Sequence, residues 1–564
     1  MANTLKFGNG NWATKENSLL GYNSENGNYK PIPFDFTRAS SATVVNKAGL
    51  IETVQSGIPR IDFLGNTKGA LLTEPASTNL ITYPISFGNN YWTKSGASIE
   101  GDSSTAGSEL VTNGSFATDT DWTKGTGWSI GSGVATYTGT TDSNLGQSSV
   151  ATVGTFVLLE YEVTSSSIDG TLDLSSSSFK GAYYSLNKSV GTHQFYIEVS
   201  TYSTLNIRVR SNTTGTISID NVSVKEVQGF EAPKVDGSGG FERDAYKLVE
   251  STNTGVHSIH RSFISGISLA TDYTWSVYAK ADERNFISLV WIYGGSDNLG
   301  VQFNLTTGEK VYEYQNGTGY SVEAYSITAL VDGWYKLTMT GQSGKTDIYP
   351  SIFLSDAQWT TGSHLTNTYT GTLGYGVKIA YSQMEQSSYA SSLMLPTSEG
   401  STTSRVADAC TGSGTAQDFK DYNASGVLYA EIAANSDDLT DRYITIGDGG
   451  TSNRVEIRYR SASNQIYVAV RVGGTYVSTM SYFVSDITDF HKVALKWNTD
   501  DFALWVDGVE RVTDNSGVTF SAGTLSNMSL AGTPSGGADF YGKTRAVEVL
   551  PYMSDTEMSL LTSP

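Results

Sequence analysis

The chain has 564 residues, a formal net charge of −20 and a single cysteine, Cys410. That charge excludes a nucleic-acid reader, which needs clustered Lys and Arg to neutralise phosphates, and it disfavours anionic membrane surfaces. One cysteine excludes an intramolecular disulfide framework and fits assembly in a reducing cytoplasm. At roughly 100–200 residues per domain, the length holds three to five domains. Gly 59 and Tyr 33 against Pro 11, with abundant Ser, Thr and Asn, describe many short strands joined by polar turns, and an all-β fold is predicted. No charged-then-apolar leader and no apolar run of 18 residues is visible, so a soluble protein outside the classical secretory route is expected.

Residues 1–30 are polar and rich in Asn and Gly, with aromatics such as Phe7 and Trp12 spaced as if to dock rather than to build a core. An ordered series of short motifs follows: Phe34-Asp35-Phe36-Thr37-Arg38-Ala39-Ser40-Ser41, Gly49-Leu50-Ile51-Glu52, Pro59-Arg60-Ile61-Asp62-Phe63 and Leu72-Thr73-Glu74-Pro75. None of them offers a nucleophile–base pair, a metal spacing or a phosphate loop. The series resembles the N-terminal segment of bacteriophage virion fibre and spike proteins, on the head or the tail. The resemblance implies a modular β-rich protein, with 1–80 as a virion-anchoring segment that meets other virion structural proteins. It also implies a homotrimer. No heptad run supports a coiled coil, so a trimer would be built through the β domains or the anchor.

Two similar openings come next. One is Asn79-Leu80-Ile81-Thr82-Tyr83 followed by Tyr91-Trp92-Thr93-Lys94; the other is Glu109-Leu110-Val111-Thr112-Asn113 followed by Asp121-Trp122-Thr123-Lys124. Each resembles the first strand of a carbohydrate-binding jelly roll. The second finds its close at Thr216–Val227, an alternating strand, while the first resumes after the Gly/Ser linker at 236–240. The reading is a carbohydrate-binding-like jelly roll, 108–229, inserted into a spike or fibre jelly roll formed by 81–107 plus 230–400. Exposed loops tolerate such insertions when the insert's ends lie close together. Two tandem domains are the alternative. Residues 401–419 read as a Ser/Thr/Gly linker.

The last module, 420–564, carries strong period-2 alternation in His491–Trp497 and Phe502–Val509 about the polar turn Asn498-Thr499-Asp500-Asp501. Its order of pieces resembles concanavalin A-like, laminin-G-type sandwiches. Ser554-Asp555-Thr556-Glu557 carries a capping box and is the chain's best helix start.

Chemistry is sparse. A concanavalin A-like glycosidase would need carboxylates paired on one strand, as in Glu-x-Asp-x-x-Glu, and no such run occurs. Glu456 stands alone among Arg454, Arg458 and Arg460, a solvated charged ladder or, in the lesser reading, a rim that grips an acidic sugar. No cofactor is expected, with calcium the one candidate through loop carboxylates Asp437, Asp438 and Asp448, although Asp in turns is ordinary turn chemistry. Sugar recognition uses exposed aromatic faces, and the candidates are Trp122 and Trp128 in the inserted domain and Trp291 with Tyr293; Trp275, Trp334 and Trp497 alternate with apolar neighbours and read as core. The expected function is a structural, non-enzymatic virion protein that adheres to host-surface or environmental glycans. A virion-associated glycan depolymerase and a monomeric capsid decoration or adaptor protein are the alternatives; the regular repeats of a depolymerase β-helix are not visible.

Overall fold

A computed structural model describes residues 5–23, 28–293 and 297–564, apart from the side chains of 21–23, 28–33 and 293. Short alternating segments become strands and the polar Gly-rich segments between them become turns, giving three pairs of facing sheets. The all-β, multi-sandwich class holds. Among the described residues every pairing between strands is antiparallel, so one face of each sheet can be wetted while the other builds a core. No helix among the described residues is long and apolar enough to cross a membrane.

Residues 123–227 supply two five-stranded sheets around a core that includes Trp122, Trp128, Tyr137, Tyr161 and Leu159. One strand, Ile217–Val227, shows how sequence sets register. Ile217 and Ile219 point inward, then Val222 and Val224 do, so the alternation changes parity at Asn221. Asn221 has φ +52°, and Asn221 and Val222 together oppose Tyr161 in a β-bulge that absorbs the extra residue. The chain enters and leaves this sandwich side by side: Gly107 N donates to Glu226 O at 2.9 Å and Asp102 N to Gln228 O at 2.9 Å.

Trp92–Ser95 and Ala97–Glu100 lie before that sandwich in sequence but pair with Ser258–Arg261 and Tyr246–Glu250 beyond it. They complete a seven-stranded and a six-stranded sheet that enclose Trp92, Trp275, Trp291, Leu289 and Ile379.

The C-terminal sandwich has an unexpected member. Leu5–Gly8 inserts between Gly542–Leu550 and Ser18–Asn23 in a twelve-stranded sheet, and Asn28–Thr37 continues it. Leu5, Phe7, Leu19, Phe34 and Phe36 are buried in the same core as Leu428, Trp497 and Phe502. Phe7, Phe34 and Phe36 therefore build a core rather than await a docking partner, Trp12 packing partly buried at its margin. The expected linker 401–419 is also part of the fold. Thr403–Arg405 pairs with Ser77–Asn79, and Ala409–Thr411 pairs with Asn28–Thr37, burying Cys410. Ser/Thr-rich composition signals a linker only when the backbone lacks partners, and here both sides of the segment are hydrogen-bonded. The helix Asp555–Thr562 starts at the expected capping box, Ser554 with Glu557.

The motifs of 34–75 converge with 403–408 on a buried charge cluster at the junction of these modules. Alternation turns Phe34, Phe36 and then Arg38 inward, which puts a guanidinium where a core side chain would sit. Arg38 Nη1 lies 3.1 Å from Asp408 Oδ1, and Arg60 bridges Glu74, at 2.7 Å, and Asp408. Arg405 Nη1 lies 3.0 Å from the same Glu74 oxygen. Backbone joins in: Glu74 N donates to Asp408 Oδ2 at 2.9 Å, and Ser392 N to Glu74 Oε1 at 2.8 Å. Despite its burial, Glu74 is held well below the usual carboxylate range by Arg405 and Arg60.

Candidate functional site

The sandwich of residues 123–227 presents a polar face on the sheet that contains Ser143–Gln147, Leu205–Arg210 and Thr171–Leu174. In Leu205-Asn206-Ile207-Arg208-Val209-Arg210 the apolar residues point into the core, so Asn206, Arg208 and Arg210 point out. Register sets Asn144 and Asp173 on either side of Arg208 and Gly146 opposite Asn206. Gly146 keeps that crowded face open, because a Cβ there would come within 2.1 Å of Asn206 Oδ1.

Asp173 is 1 % exposed and saturated. It accepts from Arg208 Nε at 2.9 Å and Nη2 at 3.1 Å, and from Arg210 Nε at 3.0 Å. The two guanidiniums are thereby fixed beneath Tyr183, whose ring centroid lies 4.0 Å from Arg208 Cζ and 5.3 Å from Arg210 Cζ. Tyr183 is 56 % exposed, so one ring face rests on cations and the rest is wetted. Hydrogen bonds from Ser176 and Arg208 lower its hydroxyl's pKa. Ser177 takes the amide of Asn206 at 3.0 Å, and the buried Asn144 Oδ1 has no hydrogen-bond partner among the described residues. A rigid exposed ring, ringed by amide, hydroxyl and guanidinium groups, can stack on the C–H face of a pyranose and hydrogen-bond its hydroxyls.

The aromatic residues singled out in the sequence lie elsewhere. Trp122 and Trp128 are each only 7 % exposed, their Nε1 atoms donating to Asn113 O at 3.1 Å and Ser143 O at 3.2 Å. Their rings pack on Phe116 and Tyr137 and so offer no face to a sugar. Trp291 is fully buried beside Tyr320. Tyr293 ends the same strand, and its side chain and residues 294–296 lie outside the described ones. Trp275, Trp334 and Trp497 are buried.

The calcium candidates do not converge. Asp437 accepts from Asn464 N at 3.0 Å, Asp438 pairs with Arg442, and Asp448 accepts from Gly450 N and Asn453 Nδ2, both at 2.8 Å. The strand Arg442–Gly447 stands between Asp437–Asp438 and Asp448, about 20 Å of extended chain. Among the described residues no three His, Cys, Asp or Glu side chains gather to hold a metal ion. These carboxylates serve their own turns, and the donor set does not fit a calcium ion. Glu456 is not part of a solvated ladder: it is fully buried between Arg454 and Arg458, and that burial pushes its carboxyl up.

Nothing local marks Tyr183, which stands beside Tyr184 in Gly181-Ala182-Tyr183-Tyr184, where no alternation separates an exposed ring from a packed one. The signal that finds the site is the alternation Asn206, Arg208, Arg210 itself, two arginines at spacing two on a wetted strand face.

No family model matches the chain, and no curated protein matches it either. Among solved structures it is similar to the Ruminococcus gnavus IT-sialidase CBM40 bound to alpha2,3 sialyllactose, at 19% identity over 27% of this chain and 92% of that one, TM-score 0.23. It is also similar to mouse laminin alpha1 chain domains LG4-5, at 13% identity over 53% of this chain and 85% of that one, TM-score 0.18. The LG1-3 region of the laminin alpha2 chain gives 9% identity over 73% and 94%, TM-score 0.19. Scores this low leave the fold to be read from the sheets themselves.

Proposed function

We propose that the chain is a bacteriophage virion fibre or spike protein that projects from the particle and adheres, without catalysis, to host-surface or environmental glycans. The observation that carries the glycan reading is the Tyr183 platform with Arg208, Arg210 and Asp173 beneath it. Asp173 gives both oxygens to guanidiniums, which suits holding a sugar rather than exchanging protons with it. The virion reading rests on the resemblance of the 34–75 motifs. The buried cluster those motifs build suits a protein whose modules must stay fixed relative to one another when displayed.

The test is a glycan array on the full chain, followed by titration of the best ligand. Tyr183→Ala should weaken that ligand about tenfold or more and leave the melting temperature unchanged. Unchanged affinity in the variant, or no glycan retained by the parent, would overturn the reading. Self-association belongs to the same proposal: light scattering should give the mass of three chains, and a single-chain mass would leave a monomeric decoration protein.

A further inference from the structure

The six-stranded sheet turns one face away from its core, and that face is polar. On the strand Trp334–Ser343, Leu337 and Met339 point into the core, so Lys336, Thr338 and Thr340 share the opposite face. Register extends these positions into rows across the sheet. Tyr278, Lys336 and Thr328 lie side by side, and so do Ser276, Thr338 and Ser326. Hydroxyls bond from strand to strand, Ser326 with Thr338 and Thr274 with Thr340, each at 2.7 Å.

The motif segment and the C-terminal sandwich stand against this face without filling the space before it. A cleft of about 600 Å³ remains, walled by Ser326, Thr328 and Lys336 from the sheet, Asp62 from the motif segment, and Asp437 and Lys543 from the C-terminal sandwich. Small-molecule sites favour such meeting points of modules, and this volume lies within their usual range. The wall is balanced in charge but not in hydrogen bonds. Lys543 Nζ lies 2.8 Å from Asp62 Oδ2. Lys336 has no carboxylate within 4 Å among the described residues; its Nζ donates to Ala390 O at 3.2 Å and Ser391 O at 2.8 Å, which leaves one of its three N–H groups over. Asp437 Oδ2 accepts from Asn464 N at 3.0 Å, while Oδ1 is buried with no partner among the described residues, an unmet acceptor. Glu74, also at the wall, is already matched by Arg60 and Arg405.

We propose that this cleft is a second binding site, for a neutral mono- or disaccharide, with Lys336 and Lys543 donating to its hydroxyls, Asp437 accepting from one, and Ser326 and Thr328 lining its ring. A neutral polyol both donates and accepts, as the spare groups on the wall require. An anionic sugar would be set against Asp62 and Asp437, and a cationic one against Lys336 and Lys543. The site lies on other modules than the Tyr183 platform and does not depend on it.

The experiment titrates the full chain with cellobiose, maltose, lactose and mannobiose, and with digalacturonate and the glucosamine disaccharide as charged counterparts. At least one neutral disaccharide should bind and raise the melting temperature, because a ligand held only by the folded state stabilises it. Thr328→Trp sets an indole beside Lys336 in the cleft and should weaken that disaccharide about tenfold or more. Lys336→Met keeps the stem, removes the amine and should weaken it as well. Tyr183→Ala should leave this affinity unchanged. Failure of every neutral disaccharide to bind, equal binding of a charged counterpart, or full affinity in either cleft variant overturns the proposal. So does loss through Tyr183→Ala, which would return the sugar to the other platform and leave that reading standing.

Discussion

Asp408→Asn should destabilise the full chain by about 3–5 kcal/mol, because it removes one partner from a buried, hydrogen-bonded charge cluster. Asp408 is the only carboxylate within 4 Å of Arg38 among the described residues, and it shares Arg60 with Glu74. With asparagine there, a fully buried guanidinium faces only neutral carbonyls, the backbone ones of Ser40 at 2.9 Å and Gln55 at 2.7 Å among them. Those carbonyls satisfy its N–H groups but not its charge. Denaturant unfolding read by tryptophan fluorescence measures the change, with Lys124→Ala, an exposed pair partner of Asp119, as the control that should cost less than about 1 kcal/mol. The same cluster fixes a pH sign. Glu74 is depressed in the folded state, so its contribution is present above the unfolded carboxylate range and is lost as pH falls below it. A cost for Asp408→Asn no larger than the control's would show that water reaches the cluster and screens it.

What the sequence made legible is what local chemistry determines. The capping box at Ser554 and Glu557 needs four consecutive residues, and it forms as read. The period-2 segments 491–498 and 501–506 become a hairpin, with Asp500 in the left-handed region at φ +57°. The all-β class follows from the same alternation repeated throughout. The charge cluster is different in kind. Arg38, Arg60 and Glu74 stand in the motifs of 34–75, yet Arg38 and Asp408 lie 370 positions apart, and no local pattern says that they meet. The tryptophans failed for a third reason: an indole beside polar residues reads the same whether its N–H finds water or a backbone carbonyl, and Trp122 and Trp128 both found carbonyls.

Removing residues 1–37 should unfold the C-terminal sandwich while the sandwich of 123–227 stays folded. An attachment arm is dispensable to the body it serves, but Leu5–Gly8 lies inside a sheet, hydrogen-bonded on one side to Gly542–Leu550 and on the other to Ser18–Asn23. The deletion takes five buried apolar side chains from one core: Leu5, Phe7, Leu19, Phe34 and Phe36. Each contributes about 1.5–3 kcal/mol by burial, so together they approach the whole stability of a domain, about 5–15 kcal/mol. It also strips the pairing partner from Ala409–Thr411 and leaves Arg38 as the first residue, cut loose from the strand that carries it into the charge cluster. The truncated chain should lose the near-ultraviolet signal of Trp497 and Trp505 and become open to proteolysis beyond residue 410. A synthetic peptide of residues 1–37, added in trans, should restore both by replacing the missing strands. Retention of the native signal and protease resistance without the peptide would show that these strands only lean on the sandwich. Particle attachment through residues 1–37 would then be free of any cost to the fold. If the sandwich does collapse, the attachment proposed for this end has wetted positions among the described residues at 9–17, where Asn9, Gly10 and Lys15 are exposed, because Phe7, Phe34 and Phe36 are already committed to the core.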